Sequence, residues 1–141
     1  MAASSGVGSI GALFKRGDGE VVESFSNFGE IISWNGPGNT RNTFKLTHLN
    51  SDGGWHEYGP GFRDGGEVTL GMNFVLADYN TLLNDLESND LHNYQTVYPD
   101  TGASTIQFAA YITKLTPTVP EDDRITVDVT LQISGEPELI T

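Results

Sequence analysis

Residues 53–76 read Gly53-Gly54-Trp55-His56-Glu57-Tyr58-Gly59-Pro60-Gly61-Phe62-Arg63-Asp64-Gly65-Gly66-Glu67-Val68-Thr69-Leu70-Gly71-Met72-Asn73-Phe74-Val75-Leu76. A glycine-studded polar run passes directly into a segment that alternates with period two. Val68, Leu70, Met72, Phe74 and Leu76 fall on one face, and Glu67, Thr69, Gly71, Asn73 and Val75 on the other. Successive strand side chains point to opposite faces, so this pattern predicts an antiparallel sheet with one dry and one wet side.

The same alternation recurs toward the C-terminus. Over Arg124–Ser134, Ile125, Val127, Val129, Leu131 and Ile133 oppose Arg124, Thr126, Asp128, Thr130, Gln132 and Ser134. Thr105–Leu115 places Ile106, Phe108, Ala110 and Ile112 on one side. Shorter strands are expected at Ile10–Phe14, Val21–Phe25, Asn27–Trp34, Phe44–Leu49 and Asn93–Tyr98, separated by glycine, proline and Asn/Asp turns. One helix is expected at about residues 79–88. Asp78 would cap it, and Tyr79, Leu82, Leu83 and Leu86 recur at helical spacing. The prediction is a mainly β domain, a small β-sandwich or partly closed barrel with one flanking α-helix.

At 141 residues the chain suits a single domain, 1–141. Its small, polar start reads as an arm of about residues 1–10, and residues 135–141 as an extended tail. Residues 50–66 show no periodicity and are expected to form a long loop. Compact domains keep such loops mainly for interaction. Trp55, His56, Tyr58, Phe62 and Arg63 in this loop are the candidate inter-subunit contacts, since exposed aromatics need a cover, which either a partner or the chain's own domain would supply.

The net charge is −12, and it is uneven. Residues 1–66 hold seven acidic and five basic side chains, residues 67–141 twelve and two. So few cations argue against phosphate-directed nucleic-acid binding and against anionic membranes. There are no cysteines. His48, His56 and His92 do not pair at metal-ligand spacing, and Glu121-Asp122-Asp123 lacks the alternating order of a calcium loop. No phosphate-binding loop, Gly-x-Ser-x-Gly elbow or distinguished carboxylate pair stands out. No catalytic residue, cofactor or metal is expected. Polar strand faces, an aromatic loop and terminal arms suit a homo-oligomer, because open strand edges and arms invite pairing with another chain. A small β-sandwich binding module for carbohydrate or protein, using Trp55, Tyr58 and Phe62, is the alternative.

Several phrases resemble one family. They are Phe14-Lys15-Arg16-Gly17-Asp18-Gly19-Glu20, Ile31-Ile32-Ser33-Trp34-Asn35-Gly36-Pro37-Gly38, Leu46-Thr47-His48-Leu49-Asn50-Ser51-Asp52-Gly53-Gly54-Trp55, Pro60-Gly61-Phe62-Arg63-Asp64-Gly65-Gly66-Glu67-Val68, Val97-Tyr98-Pro99-Asp100, Pro120-Glu121-Asp122-Asp123 and Val129-Thr130-Leu131-Gln132-Ile133-Ser134-Gly135-Glu136-Pro137. In this order they are similar to the tail tube (major tail) proteins of siphophages and gene transfer agents. Many relatives are longer or carry an added surface domain, and no such domain is expected in this chain.

The resemblance implies a structural virion protein of the tail, made in the host cytoplasm. It implies hexameric rings that stack into a tube for DNA delivery, with tape measure, tail terminator and distal tail proteins as partners. DNA would pass through the lumen without specific binding. Glu67, Thr69, Asn73, Asp128, Thr130 and Gln132 are the expected channel-lining residues. An acidic wall would repel phosphates.

Overall fold

The computed structural model describes Ser4 and residues 6–140. In chain order the elements are β1 (Leu13–Gly17), β2 (Phe25–Asn27), β3 (Ile31–Asn35), β4 (Thr40–Lys45), β5 (Tyr58–Asp64), β6 (Glu67–Asn73), α1 (Leu76–Glu87), β7 (His92–Val97), β8 (Thr105–Thr118), β9 (Thr126–Ile133) and β10 (Glu138–Ile140). The main sheet runs β2-β1-β7-β8-β9-β6-β3, and every pairing in it is antiparallel. β10 pairs with Thr105–Gln107 of β8 and so continues the lane that β9 occupies along the rest of that strand. β4 and β5 form a separate two-stranded ribbon.

The sheet curls around one core. Phe14 on β1 and Trp34 on β3, from opposite flanks, approach to a ring separation of 6.5 Å. β2 and β3 are not paired to each other, so the curl stays open. The expected mainly β fold with one helix is therefore present, as an open, curled sheet. Its centre is the β6–β9 pair, where Val68, Leu70 and Met72 lie opposite Leu131, Val129 and Val127. All six are buried. Tyr94 on β7 and Phe108 on β8 extend the cluster, and Leu82 of α1 covers it.

A charged cluster fastens the helix to the sheet. Asp85, on the inner side of α1, is 3% exposed. It accepts hydrogen bonds from Arg16 Nε (2.9 Å) and Nη2 (2.6 Å) and from the Tyr94 hydroxyl (2.9 Å). His92 Nε2 lies 3.5 Å from the same carboxylate. The hydrogen bond to Asp85 holds Arg16 above its ordinary pKa. Burial, helped by the Asp85 charge, pushes the Tyr94 phenol up.

Several sequence expectations need correction. β1 begins three residues later than the expected Ile10–Phe14 strand and absorbs Lys15-Arg16-Gly17, read as turn. Val21 and Val22 are fully exposed in the connection before β2, not in a strand. The expected Phe44–Leu49 strand is instead β4, Thr40–Lys45. β6 ends at Asn73, and Phe74 turns away from the core onto Tyr79 at a ring separation of 5.5 Å. Leu76 is likewise exposed, as the first residue of α1. Asp78 does not cap the helix. Val75 holds the cap position, with no side-chain hydrogen bond, and Asp78 sits in the first turn, where the helix dipole favours an anion.

Among the terminal segments, Met1–Ala3, Ser5 and Thr141 lie outside the described residues. The rest of the expected 1–10 arm leads into a turn closed by Ala12 N donating to Ser9 O. The expected tail is extended, and β10 ties it into the sheet.

Candidate functional site

Residues 50–66 are not loop throughout. Tyr58–Asp64 is β5, paired with β4, so the non-strand part of this projection is 46–57. Gly59, Pro60 and Gly61 conceal the strand in the sequence. Proline is tolerated there because β5 is an edge with no second neighbour. The Phe44 ring lies on Gly59, and a Cβ there would sit 2.5 Å from the ring, so a larger residue would push Phe44 aside. At the root, Gly66 adopts φ +72°, and a Cβ there would meet the Gly38 carbonyl.

The register gives the ribbon two different faces. Arg41 lies opposite Arg63, Thr43 opposite Pro60, and Lys45 opposite Tyr58 on one face. Phe44 opposite Gly59 and Thr40 opposite Asp64 mark the other. Trp55, Tyr58, Phe62, Leu46 and Leu49 are all exposed. His56 is fixed by a 3.2 Å contact from its Nδ1 to Thr47 Oγ1 and lies against Tyr58. The five expected contact residues thus share one projection. They do not form one patch, since Trp55 and His56 are at its tip, Tyr58 at the near end of β5, and Phe62 and Arg63 by the root. A cleft of about 670 Å³ runs between the root and Gly135–Pro137.

The second surface is the outer, polar face of β3, β6, β9 and β8. Glu67 pairs with Gln132, Thr69 with Thr130, Gly71 with Asp128, and Asn73 with Thr126. All six expected channel-lining residues therefore share one face, opposite the core. Two of them also have structural partners. Gln132 Nε2 donates to Gly66 O (3.0 Å), and Asn73 Nδ2 to Glu30 Oε1 (3.3 Å). Sequence reading missed that β3 and the far half of β8 widen this face. Ser33 and Asn35 join it from β3, and Lys114 and Thr116 from β8. A register shift between Ile112 and Lys114 breaks the alternation that would have revealed them. Lys114 lies opposite Thr130, so the acids Glu67 and Asp128 share their surface with one cation.

Among the described residues, no cluster of His, Asp and Glu could hold a metal ion. Among the same residues, no helix is long and apolar enough to cross a membrane.

No curated protein sequence is significantly similar to this chain. Solved structures are. A chain in the tail of an empty gene transfer agent particle, a helical assembly with six-fold symmetry, superposes with a TM-score of 0.71 at 19% identity, covering 92% of this chain and 95% of that one. A chain of the sheath/tube terminator of an extracellular contractile injection system reaches 0.73 at 14% identity, covering 99% and 100%. The SPP1 tail tube protein reaches 0.63 at 13% identity, covering 89% and 74%. These neighbours share the fold. The lambda phage tail tube protein family, TTP, matches residues 15–140, nearly the whole chain. The chain belongs to that family, and it is a structural, non-enzymatic component of the virion tail.

Proposed function

We propose that copies of this chain close into hexameric rings, that the rings stack into a tube, and that the polar outer face of β3-β6-β9-β8 lines the channel through which DNA passes. The observation that carries this reading is a pair of open edges. β3 ends the sheet on one side. On the other, β7 pairs with β8 only as far as Ala110, so among the described residues Tyr111–Thr118 has β9 on one side and no strand on the other. This four-stranded section can therefore be continued by a neighbour at both edges, and ring closure removes both exposed edges. Six copies would give roughly 24 strands. With about 4.8 Å between strands and a tilt of about 40°, the backbone circle is about 48 Å across. That bore admits a duplex after side chains are allowed for. The six-fold gene transfer agent tail supports the ring number.

The wall would carry Glu67, Asp128 and Lys114, a small negative excess per copy. Such a wall holds phosphates off without binding them. The β4–β5 ribbon would then join one ring to the next, and the tube ends would meet tape measure, terminator and distal tail proteins. Microscopy of the purified protein at rising concentration tests the reading. Six-fold end views with Asp128 on the inner wall are expected. A map with Asp128 outside, or a strict monomer at every concentration, overturns it. Deleting Ser51–Glu57 should leave a folded β-rich monomer that no longer forms tubes.

A further inference from the structure

The ribbon carries an unusual concentration of charge. Three of the chain's seven cations, Arg41, Lys45 and Arg63, occupy one of its faces. Arg41 and Arg63 are directly opposite each other. Like charges at opposed positions destabilise a strand pair. Among the described residues, neither arginine has a carboxylate within ion-pairing reach. The adjacent Asp64 lies on the other face and accepts instead from Gly66 N at 2.9 Å. In a chain of net charge −12, a counterion for this face is abundant on a second copy.

The topology shows which part of that copy could supply it. The ribbon leaves the sheet at the Glu67–Gln132 end of the β6–β9 pair. The β8–β9 turn, with Glu121, Asp122 and Asp123 exposed in succession, lies beyond the Asn73–Thr126 end. The two are separated by the seven-residue ladder, roughly 20 Å of strand. The exposed cations on the ribbon face at one end of a subunit and the three successive acids at the other, which Arg124 follows, have the complementarity of a head-to-tail pair. Such a heterologous contact does not close on itself, and repetition extends it without limit.

We infer that Arg41 and Arg63 of one copy dock on the Glu121–Asp123 turn of a copy in the adjacent ring, and that this pairing sets the direction of stacking. The inference rests on the stacked-ring reading above and names the partner of the ribbon's cationic face. A nucleic-acid strand is the competing occupant, and the test separates the two.

The experiment uses the full chain in three forms: Arg41→Glu with Arg63→Glu, Glu121→Lys with Asp123→Lys, and all four together. Asp122 is left alone because its φ of 58° is a left-handed conformation. Each two-site reversal should raise the concentration needed for tube growth about tenfold or more, as expected for opposed charges at a contact. The four-site form should return to within about threefold of the parent, because attraction is restored with the signs exchanged. Rescue distinguishes the pairing from misfolding, and unchanged monomer sedimentation and thermal unfolding of the reversals check the fold directly.

If either reversal forms tubes at the parental concentration, or the combination fails to recover, the pairing is wrong while the tube reading stands. If the parent itself makes no tubes, the underlying reading fails. Saturable binding of a fluorescent DNA duplex to the parent, lost in Arg41→Glu/Arg63→Glu, would assign the face to nucleic acid and overturn the inference.

Discussion

Replacing Asp85 by alanine should be among the most damaging single changes in the subunit. The carboxylate is 3% exposed and is the acceptor for two guanidinium nitrogens and one phenol. Removing one member of a buried ion pair costs about 3–5 kcal/mol, because the remaining charge is left without a partner. Arg16 retains some solvent contact, its side chain being 24% exposed, which favours the low end of that range. Tyr94 has no exposure at all, so its stranded hydroxyl adds part of a further 1–3 kcal/mol, roughly. The two losses overlap, and the total remains about 3–5 kcal/mol. For a chain of 141 residues, that lowers Tm by roughly 10–20 °C. Urea unfolding of the unassembled subunit, followed by circular dichroism, measures it directly. Asp85→Asn keeps an oxygen for Tyr94 and should cost about half as much. In a Tyr94→Phe background the Asp85→Ala penalty should shrink by about 0.5 kcal/mol or more, since the two share a bond. A penalty below about 1 kcal/mol with an unchanged m-value would refute the claim that this cluster fastens the helix.

Tyr94 is held above its ordinary phenol pKa by burial, so its contribution is fully present below the unfolded value near 10 and is lost as pH rises toward the folded one. Stability should fall by about 1.4 kcal/mol per pH unit above roughly pH 10, and Tyr94→Phe should remove that slope in urea titrations. Phe74→Ala, on a ring 37% exposed, should cost about 1–2 kcal/mol, whereas Phe108→Ala, on one 2% exposed, should cost about 3–5 kcal/mol. Equal costs in thermal melts would contradict the placement of Phe74 outside the core. Asp128→Lys should permit assembly and slow DNA ejection, with the defect shrinking at high salt, where screening shortens to about 3 Å at 1 M. Ejection at the parental rate at every salt concentration would mean that Asp128 does not face passing DNA.

The parts of this fold legible in the sequence are those where one chemical signal dominates. Val68-Thr69-Leu70-Gly71-Met72 and Val127–Ile133 alternate because one face is dry and the other is not, and both strands fall where the alternation places them. Tertiary context decided the rest. Phe74 has the right parity for the core, but β6 ends at Asn73 and the ring lies against Tyr79 of the helix. Tyr58–Asp64 has the composition of a loop and becomes a strand because β4 supplies a partner, and Pro60 is tolerated because no other strand among the described residues pairs with it. Arg16, in a stretch that reads as a turn, reaches across 69 positions to Asp85, a pairing that no local pattern encodes. Of the candidate site, the grouping of Glu67, Thr69, Asn73, Asp128, Thr130 and Gln132 on one face was legible, since register follows from parity. The contribution of Lys114 was not, because a bulge precedes it.

The isolation of the β4–β5 ribbon has a thermodynamic consequence. A two-stranded hairpin with no third strand is marginal in water. In a free subunit its amides should therefore exchange with solvent through local opening far cheaper than global unfolding, while those of the β6–β9 pair wait for the whole domain. Fixing residues 40–64 on a neighbour would charge each incoming copy an ordering entropy that the first contacts scarcely repay. Growth from an existing end would then be favoured over spontaneous initiation. Lag phases, seeding and a steep dependence on protein concentration would be written into an exposed strip of chain, leaving soluble copies unassembled until a template presents itself.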